Sequence, residues 1–453
     1  MKKWAAPILR VGAALFVLIF RSTNLSLLTD SDTKVLLATI RAKQDPMLWF
    51  RGDWPLYNHF YRPISTLVFE MDNALYRDWA GGYAWTNAIL VALCVGLTGW
   101  LGRELTGKPW MGAASAWIFA LWATDFGWRF GDIGWAGFLI LIVGLFRHPR
   151  RPWIYISAAL ATWYVADELM GISLLWYRNV GWIPGRTATT MSVFCLIAMA
   201  AYARWERLSP QSRPVDPPTP LTPPATRSTR VETVRPASIG WLVLAVASVA
   251  LALGSYEQAV MLPACLVGIG VAFRLHRFPA RRGWVTFHAA CWGLLLGYLA
   301  LRHQILPPKT SGYQEQQLRY GAGVWIAIST YLYPFAGQYQ SIVAAVEAGP
   351  LMWLSTSPYT LMIEAVKPVA MAFWARFAWV VPALAFALSV LAYLPMAWLQ
   401  QFDHYHFWPG TLRAIFVVTL LPLVAKAWVT AASPQPIATP PRSHPAPGSL
   451  PRP

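Results

Sequence analysis

Two carboxylates stand two residues apart in Thr29-Asp30-Ser31-Asp32, directly after the first apolar run, and the aromatic-rich stretch behind them ends in Phe60-Tyr61-Arg62-Pro63. A carboxylate beside a membrane interface suits a general base, which takes the proton of an attacking hydroxyl. Asp is also a favoured helix N-cap, because its oxygen accepts an orphan backbone N–H. Asp30 and Asp32 precede Lys34, near which a helix can start, so capping and catalysis both stay open for each. Glu257, in Gly254-Ser255-Tyr256-Glu257-Gln258, falls where one apolar run ends and the next begins, and Asp167-Glu168 interrupts another. An ionisable group at membrane depth is expensive, so these are functional candidates, with solvation in the headgroup zone as the alternative.

Cations that could meet a phosphate occur on the same side. Arg302 and Arg319 flank one loop and Arg413 enters the last apolar run. Each can meet a phosphate through charge-assisted hydrogen bonds or snorkel to headgroups. Asp403-His404-Tyr405-His406-Phe407-Trp408-Pro409 reads either as a binding site or as an interfacial aromatic belt. Phosphate-cradling glycine loops, zinc spacings and nucleophile elbows do not occur in a fitting context, and the sequence asks for no cofactor or metal.

The elements that must position these residues are membrane helices. The chain is 56% apolar and 13% charged with 26 Trp, and its mean hydropathy is +0.40. That composition excludes a soluble globular domain. The net charge of +17 is spread over the ends of apolar runs rather than gathered in one basic domain, which argues against nucleic acid. Cys94, Cys195, Cys265 and Cys291 all sit inside apolar runs and read as buried thiols.

A first apolar run from Ile8 to Leu28 lacks a small-residue cleavage site and reads as a retained span. Further runs at 86–102, 110–125, 133–147, 153–176, 185–203, 238–256, 258–274, 284–303, 322–340, 371–396 and 409–429 bring the expected count to about twelve. Alternate loops hold Arg103 and Lys108; Arg147, Arg150 and Arg151; Arg204 and Arg207; and Arg274, Arg277, Arg281 and Arg282. By the positive-inside rule these loops and both termini are cytoplasmic. The fold class expected is therefore an all-α polytopic bundle over residues 1–430. A long first outer loop, 29–85, carries short interfacial helices, and Pro-rich cytoplasmic segments at 209–236 and 431–453 are expected to be disordered. Most connections in a helical bundle have about 2–8 residues, so an outer loop of this length points to function.

Several short patterns occur together in order. Asp30 and Asp32 are followed by Tyr61-Arg62-Pro63, Asp72, and Gly82-Tyr83 with Asn87; then come Trp182-Ile183-Pro184-Gly185-Arg186 and Ser255-Tyr256-Glu257-Gln258-Ala259-Val260-Met261-Leu262-Pro263. Tyr393-Leu394-Pro395 and Asp403-His404-Tyr405 with Pro409 close the series. In these positions the chain resembles the bacterial GT-C glycosyltransferases, in particular the membrane part of protein O-mannosyltransferase-like proteins that often bear tetratricopeptide repeats. It departs from them in spacing its acids as Asp-Ser-Asp, in carrying His404 where they have Arg, and in lacking their His-Pro-x-His-x-Glu before Trp182.

The resemblance implies an enzyme of the cytoplasmic (inner) membrane. It would take a sugar from a polyprenyl-phosphate or polyprenyl-diphosphate donor and pass it to a lipid, glycan or protein acceptor at the outer face. It also implies that the acid after the first span is the base, with Asp32 slightly ahead of Asp30. Tyr61, Arg62, Glu257, Arg302, Asp403, His404 and Arg413 are then the expected donor or substrate contacts. Two rival readings are a twelve-span secondary transporter, against which the two halves show no evident repeat, and a GT-C-like scaffold without catalysis.

Overall fold

The computed structural model describes residues 2–19, 28–124, 182–208, 236–276, 283–332, 380–400 and 402–432. Among them the regular structure is helical and the one strand-like feature is an isolated antiparallel bridge between Leu318 and Leu399. The elements are α1 (Lys2–Ile19), α2 (Ser31–Lys43), α3 (Pro63–Tyr76), α4 (Ala80–Thr106), α5 (Pro109–Trp122), α6 (Arg186–Arg207) and α7 (Pro236–Leu253). They continue as α8 (Leu262–Leu275), α9 (Trp284–Ile305), α10 (Gly312–Gln317), α11 (Ala322–Leu332), α12 (Val380–Tyr393) and α13 (Phe407–Ala432).

Five helical stretches among the described residues are long and apolar enough to cross a membrane: Ala80–Thr106, Ile183–Arg207, Glu257–Leu275, Trp284–Ile305 and Val380–Trp398. Shorter apolar helices cover Ala5–Ile19, Ile239–Leu253 and Ala322–Leu332. Every expected span that falls within the described residues is thus helical. The expected spans 133–147 and 153–176, with Asp167 and Glu168, lie outside them, as do most of the Pro-rich segments, residues 20–27 of the first span, 333–340 of the span 322–340 and 371–379 of the span 371–396.

The helix starting near residue 86 in the sequence reading begins earlier, at Ala80, through two glycines that disfavour helix. Packing explains the difference, because a Cβ on Gly82 would overlap the Tyr76 ring, so glycine lets α4 turn tightly against α3. With 27 residues α4 is about 40 Å long, more than the hydrocarbon core needs, and its first turns belong to the loop that carries the site.

Small residues bring α4 and α5 together. A Cβ on Gly112 would collide with the Gly99 carbonyl, and one on Gly102 would lie 3.1 Å from the Ser115 hydroxyl. In lipid such close backbone approach replaces the hydrophobic drive that water supplies elsewhere. The main core runs through α1, α4–α9 and α11–α13, and all four cysteines are buried free thiols. A second, smaller core under the first loop joins Leu36, Leu37 and Ile40 of α2 to Trp49, Trp54, Phe69, Tyr83 and Ile183.

The two ends of the bundle differ in charge. Arg103, Arg204, Arg207 and Arg274 surround Glu104 and Glu206 at one end, while Asp32, Arg62, Glu257, Arg302 and His404 share a cavity at the other. Gly112→Ala tests the α4–α5 crossing: overpacking is expected to cost about 1–3 kcal/mol, read as a lower melting temperature of the purified protein, whereas Gly96→Ala, with open space around it, leaves it unchanged.

Candidate functional site

Asp30 is the N-cap of α2. Its Oδ2 accepts from the Thr33 backbone N–H at 3.1 Å and hydroxyl at 3.3 Å, and also from Trp182 Nε1 at 3.0 Å. The capping role left open in the sequence therefore belongs to Asp30. Asp32, two residues on, is exposed and lines the cavity.

Behind Asp30, the patterns Asp72, Tyr83, Asn87 and Arg186 form one sealed network. Arg186 and Asp72 are ion-paired with both side chains fully buried. Arg186 also donates to Asn87 Oδ1 at 2.8 Å and to the Tyr83 carbonyl at 3.1 Å, and Thr86 donates to the other Asp72 oxygen at 2.8 Å. These contacts fasten α3, α4 and the start of α6, and so fix Trp182 and Pro184 in the cavity wall.

A second, partly enclosed ion pair forms the cavity floor. Arg62 donates from Nε to Glu257 Oε2 at 2.8 Å and contacts the same oxygen from Nη2 at 2.7 Å. Its guanidinium lies 4.0 Å from the Phe60 ring centroid, 4.4 Å from Tyr256 and 4.5 Å from Trp54, a three-ring box that holds it by cation–π attraction. Burial pulls the Arg62 guanidinium down, and Glu257 with Tyr256 and Tyr405 carries it above its ordinary value, so it stays charged. The N-terminus of α3 is pinned to the same junction by Ser65, whose hydroxyl donates to the Ser255 carbonyl at 2.8 Å, and by Ile64 N to the Gly254 carbonyl at 2.9 Å. Gln258 then ties the junction to the far wall through the Ala392 carbonyl at 2.8 Å and the Tyr405 carbonyl at 2.9 Å.

Asp53 shapes the loop that supplies two rings of the box. Its carboxylate accepts from the backbone N–H groups of Trp54 (2.8 Å), His59 (2.8 Å) and Phe60 (3.0 Å). That clamp holds Tyr57 and His59 in left-handed conformations, φ 51° and 62°. Burial raises the Asp53 pKa, opposed by those same N–H groups.

The cavity has a volume of about 1000 Å³. Its roof is the strap 306–321, which includes α10 and was marked in the sequence only by its flanking cations, Arg302 and Arg319. The Ser311 hydroxyl donates to the Asn58 carbonyl at 3.1 Å and Gln314 Nε2 to the His59 carbonyl at 2.9 Å. On the other side Arg319 N donates to the Trp398 carbonyl at 2.8 Å and Gln400 N to the Gln317 carbonyl at 2.7 Å.

Four cavity-lining residues present a buried polar atom without a hydrogen-bond partner among the described residues: Glu257 Oε1, Arg302 Nε, Tyr298 Oη and Gln317 Oε1. Aromatic faces from Trp54, Tyr57, Trp182, Tyr256, Tyr313 and Trp398 complete the wall.

Of the expected contacts, Arg62, Glu257, Arg302 and His404 line this space with Asp32. His404 is buried against Phe402 (5.6 Å between ring centroids), Tyr405 (4.5 Å) and Trp182 (5.5 Å). Two others do not line it. The Tyr61 hydroxyl donates to the Phe50 carbonyl at 3.2 Å and its ring packs on Tyr298, since the alternation that aims Arg62 into the cavity turns Tyr61 into the core. Arg413 is buried in α13 with its guanidinium 5.8 Å from the Trp122 ring. Asp403 starts a 3-10 turn, and its side chain lies outside the described residues. His406 is stacked on Tyr331 and Tyr393, and burial together with Arg413 pulls its pKa down to about 4, so it is neutral at physiological pH. No group of His, Cys, Asp and Glu among the described residues is placed to hold a metal ion.

Comparison of the chain with known protein families, with curated proteins and with solved structures finds no match.

Asp72→Asn is expected to destabilise the protein by about 3–5 kcal/mol, because it leaves the Arg186 charge buried without a counter-ion. Thermal unfolding of the purified protein checks this, and a melting temperature equal to wild type would show that the network does not anchor α6.

Proposed function

We propose that the protein is a membrane glycosyltransferase that moves a sugar from a polyprenyl-phosphate-linked donor to an acceptor at the outer face of the cytoplasmic membrane, as GT-C enzymes do. The observation that carries this reading is the cavity itself, where aromatic faces, two carboxylates and four unpartnered polar atoms meet at the end of the bundle away from the arginines. A sugar is a disc with apolar faces and a rim of hydroxyls, so it needs aromatic platforms together with mixed donors and acceptors. An ion or a purely apolar solute leaves one of the two sets unused. The positive-inside rule puts the arginine end in the cytoplasm and the cavity at the outer interface, the depth at which a lipid-linked sugar phosphate sits.

In this reading Asp32 is the general base. An acceptor hydroxyl attacks the anomeric carbon, its proton passes to the Asp32 carboxylate, and the bond from that carbon to the donor phosphate oxygen breaks with its electron pair leaving on phosphate. Arg302 offers the phosphate a charge-assisted hydrogen bond from its unpartnered Nε. Glu257 Oε1 accepts a sugar hydroxyl while Oε2 remains on Arg62. Asp30 serves indirectly by holding the first turn of α2, and therefore Asp32, against Trp182.

Transfer from a radiolabelled polyprenyl-phosphate sugar, assayed in membranes, tests the assignment. Asp32→Asn is expected to lower the rate by about 10²–10⁴-fold, the usual range for loss of a general base. Asp30→Asn keeps a capping oxygen and is expected to leave transfer near wild type, whereas Asp30→Ala is expected to act through stability, at about 1 kcal/mol for the lost cap. Unchanged transfer in both single variants and the double would sink the general-base role. Solute uptake by reconstituted vesicles that survives these changes would favour a transporter instead.

A further inference from the structure

At the end of the bundle opposite the cavity, three guanidinium groups converge on one carboxylate and a fourth lies within electrostatic reach of it. Glu104, in the last turns of α4, is buried to 1% exposure. Arg103 Nε lies 3.9 Å from Glu104 Oε1, and Arg204 Nη1 and Arg207 Nε lie 3.6 Å and 3.7 Å from Oε2. At such separations the carboxylate attracts these cations without saturating their N–H donors. Arg207 spends two donors on the Glu104 main-chain carbonyl, and the Trp100 indole takes Oε1 at 3.3 Å. Arg10 of α1 packs over Gly99 within electrostatic reach of Arg103 and Glu104, and its buried Nε has no hydrogen-bond partner among the described residues.

Four cations and one anion leave the cluster with a net charge of +3. Among the described residues the other acid at this end is Glu206, and it does not compensate the cluster, because Arg274 contacts both its oxygens at 2.6 Å and the Tyr202 hydroxyl donates to it at 2.7 Å. Like charges packed this closely repel, and an arrangement that the described residues do not balance invites an anion.

The position selects the source of that anion. Arg103 stands three residues before the end of α4, about 5 Å inside it. Trp100 meets Trp241 at 5.7 Å beside the cluster, and Trp110 is half exposed next to the exposed Lys108, a belt of indoles of the kind that marks headgroup depth. The side chains of Arg103, Arg204 and Arg207 remain 41%, 33% and 27% exposed, so the described residues leave them open to a ligand. Basic pockets between membrane helices on the cytoplasmic side suit anionic headgroups.

We propose that Arg10, Arg103, Arg204 and Arg207 form a binding site for the headgroup phosphate of an anionic phospholipid, with Glu104 as the internal counter-ion that orients the guanidinium groups. The site is independent of the cavity and of the reaction proposed there.

Full-length protein reconstituted in nanodiscs of phosphatidylcholine, with and without added phosphatidylglycerol, provides the test. Phosphatidylglycerol retained by the protein is counted by native mass spectrometry and the melting temperature is read in parallel. Phosphatidylglycerol is expected to raise the melting temperature, and Arg103→Gln and Arg204→Gln to weaken retention about fivefold each. Arg204→Lys keeps most of it, and Arg41→Gln, an exposed cation at the other end, leaves it unchanged. Glu104→Gln, which adds repulsion, is expected to melt lower in phosphatidylcholine and to recover with phosphatidylglycerol. Equal retention by wild type and both Gln variants would overturn the site. Stabilisation by inorganic phosphate at matched ionic strength as large as that by phosphatidylglycerol would overturn the lipid as its ligand.

Discussion

Taking the Arg186 guanidinium out of water costs several kcal/mol, and the structure repays this only by giving it a complete set of partners: Asp72, Asn87 and the Tyr83 carbonyl. Those partners come from α3 and α4, while Arg186 itself begins α6, so the charge cannot be satisfied unless the three elements meet in one register. The remaining features of the outer end follow from that docking. Trp182 is set against Asp30, α2 is capped, Asp32 faces the cavity, and the first loop folds over a small core of its own. Arg62 and Glu257 repeat the device one layer nearer the cavity, where the pair is only partly enclosed and one oxygen of Glu257 stays available.

Most of the helical fold was legible because runs of apolar residues ending in Arg leave little else for the backbone to do in lipid. The described spans fall within a few residues of their sequence-based positions, and the early start of α4 at Ala80 was hidden because glycine reads as a breaker until the Tyr76 ring fills the space a side chain would take. At the site, Arg62 and Glu257 could each be singled out as costly charges, yet nothing in a single sequence says that residues 195 positions apart share a hydrogen bond. The division of labour between Asp30 and Asp32 turned on Trp182, an indole remote in sequence. Arg413 looked the same as Arg302 by type and Tyr61 shared a motif with Arg62, but the direction of the side chain sends both into packing.

Of the strap 306–321 only the flanking cations Arg302 and Arg319 were legible, because the rest is short, polar and without a motif. Its value lies in backbone hydrogen bonds to the loops on either side, which no side-chain pattern announces. The acids of the opposite end, Glu104 and Glu206, were overlooked for a related reason. Among many Arg residues a Glu looks like routine surface charge, and only burial shows that each is a fixed counter-ion. The two ends of the bundle thus use charge differently: one seals ion pairs to build a cavity, and the other gathers arginines around buried glutamates.

The cavity as a sugar-phosphate site is tested most directly by determining the structure of the protein with a bound polyprenyl-phosphate sugar. The expected result is a sugar ring among the aromatic residues beneath the strap, its phosphate within hydrogen-bond distance of Arg302 and its anomeric carbon facing Asp32. A lipid-linked sugar bound elsewhere, or an empty cavity at saturating donor, would contradict it.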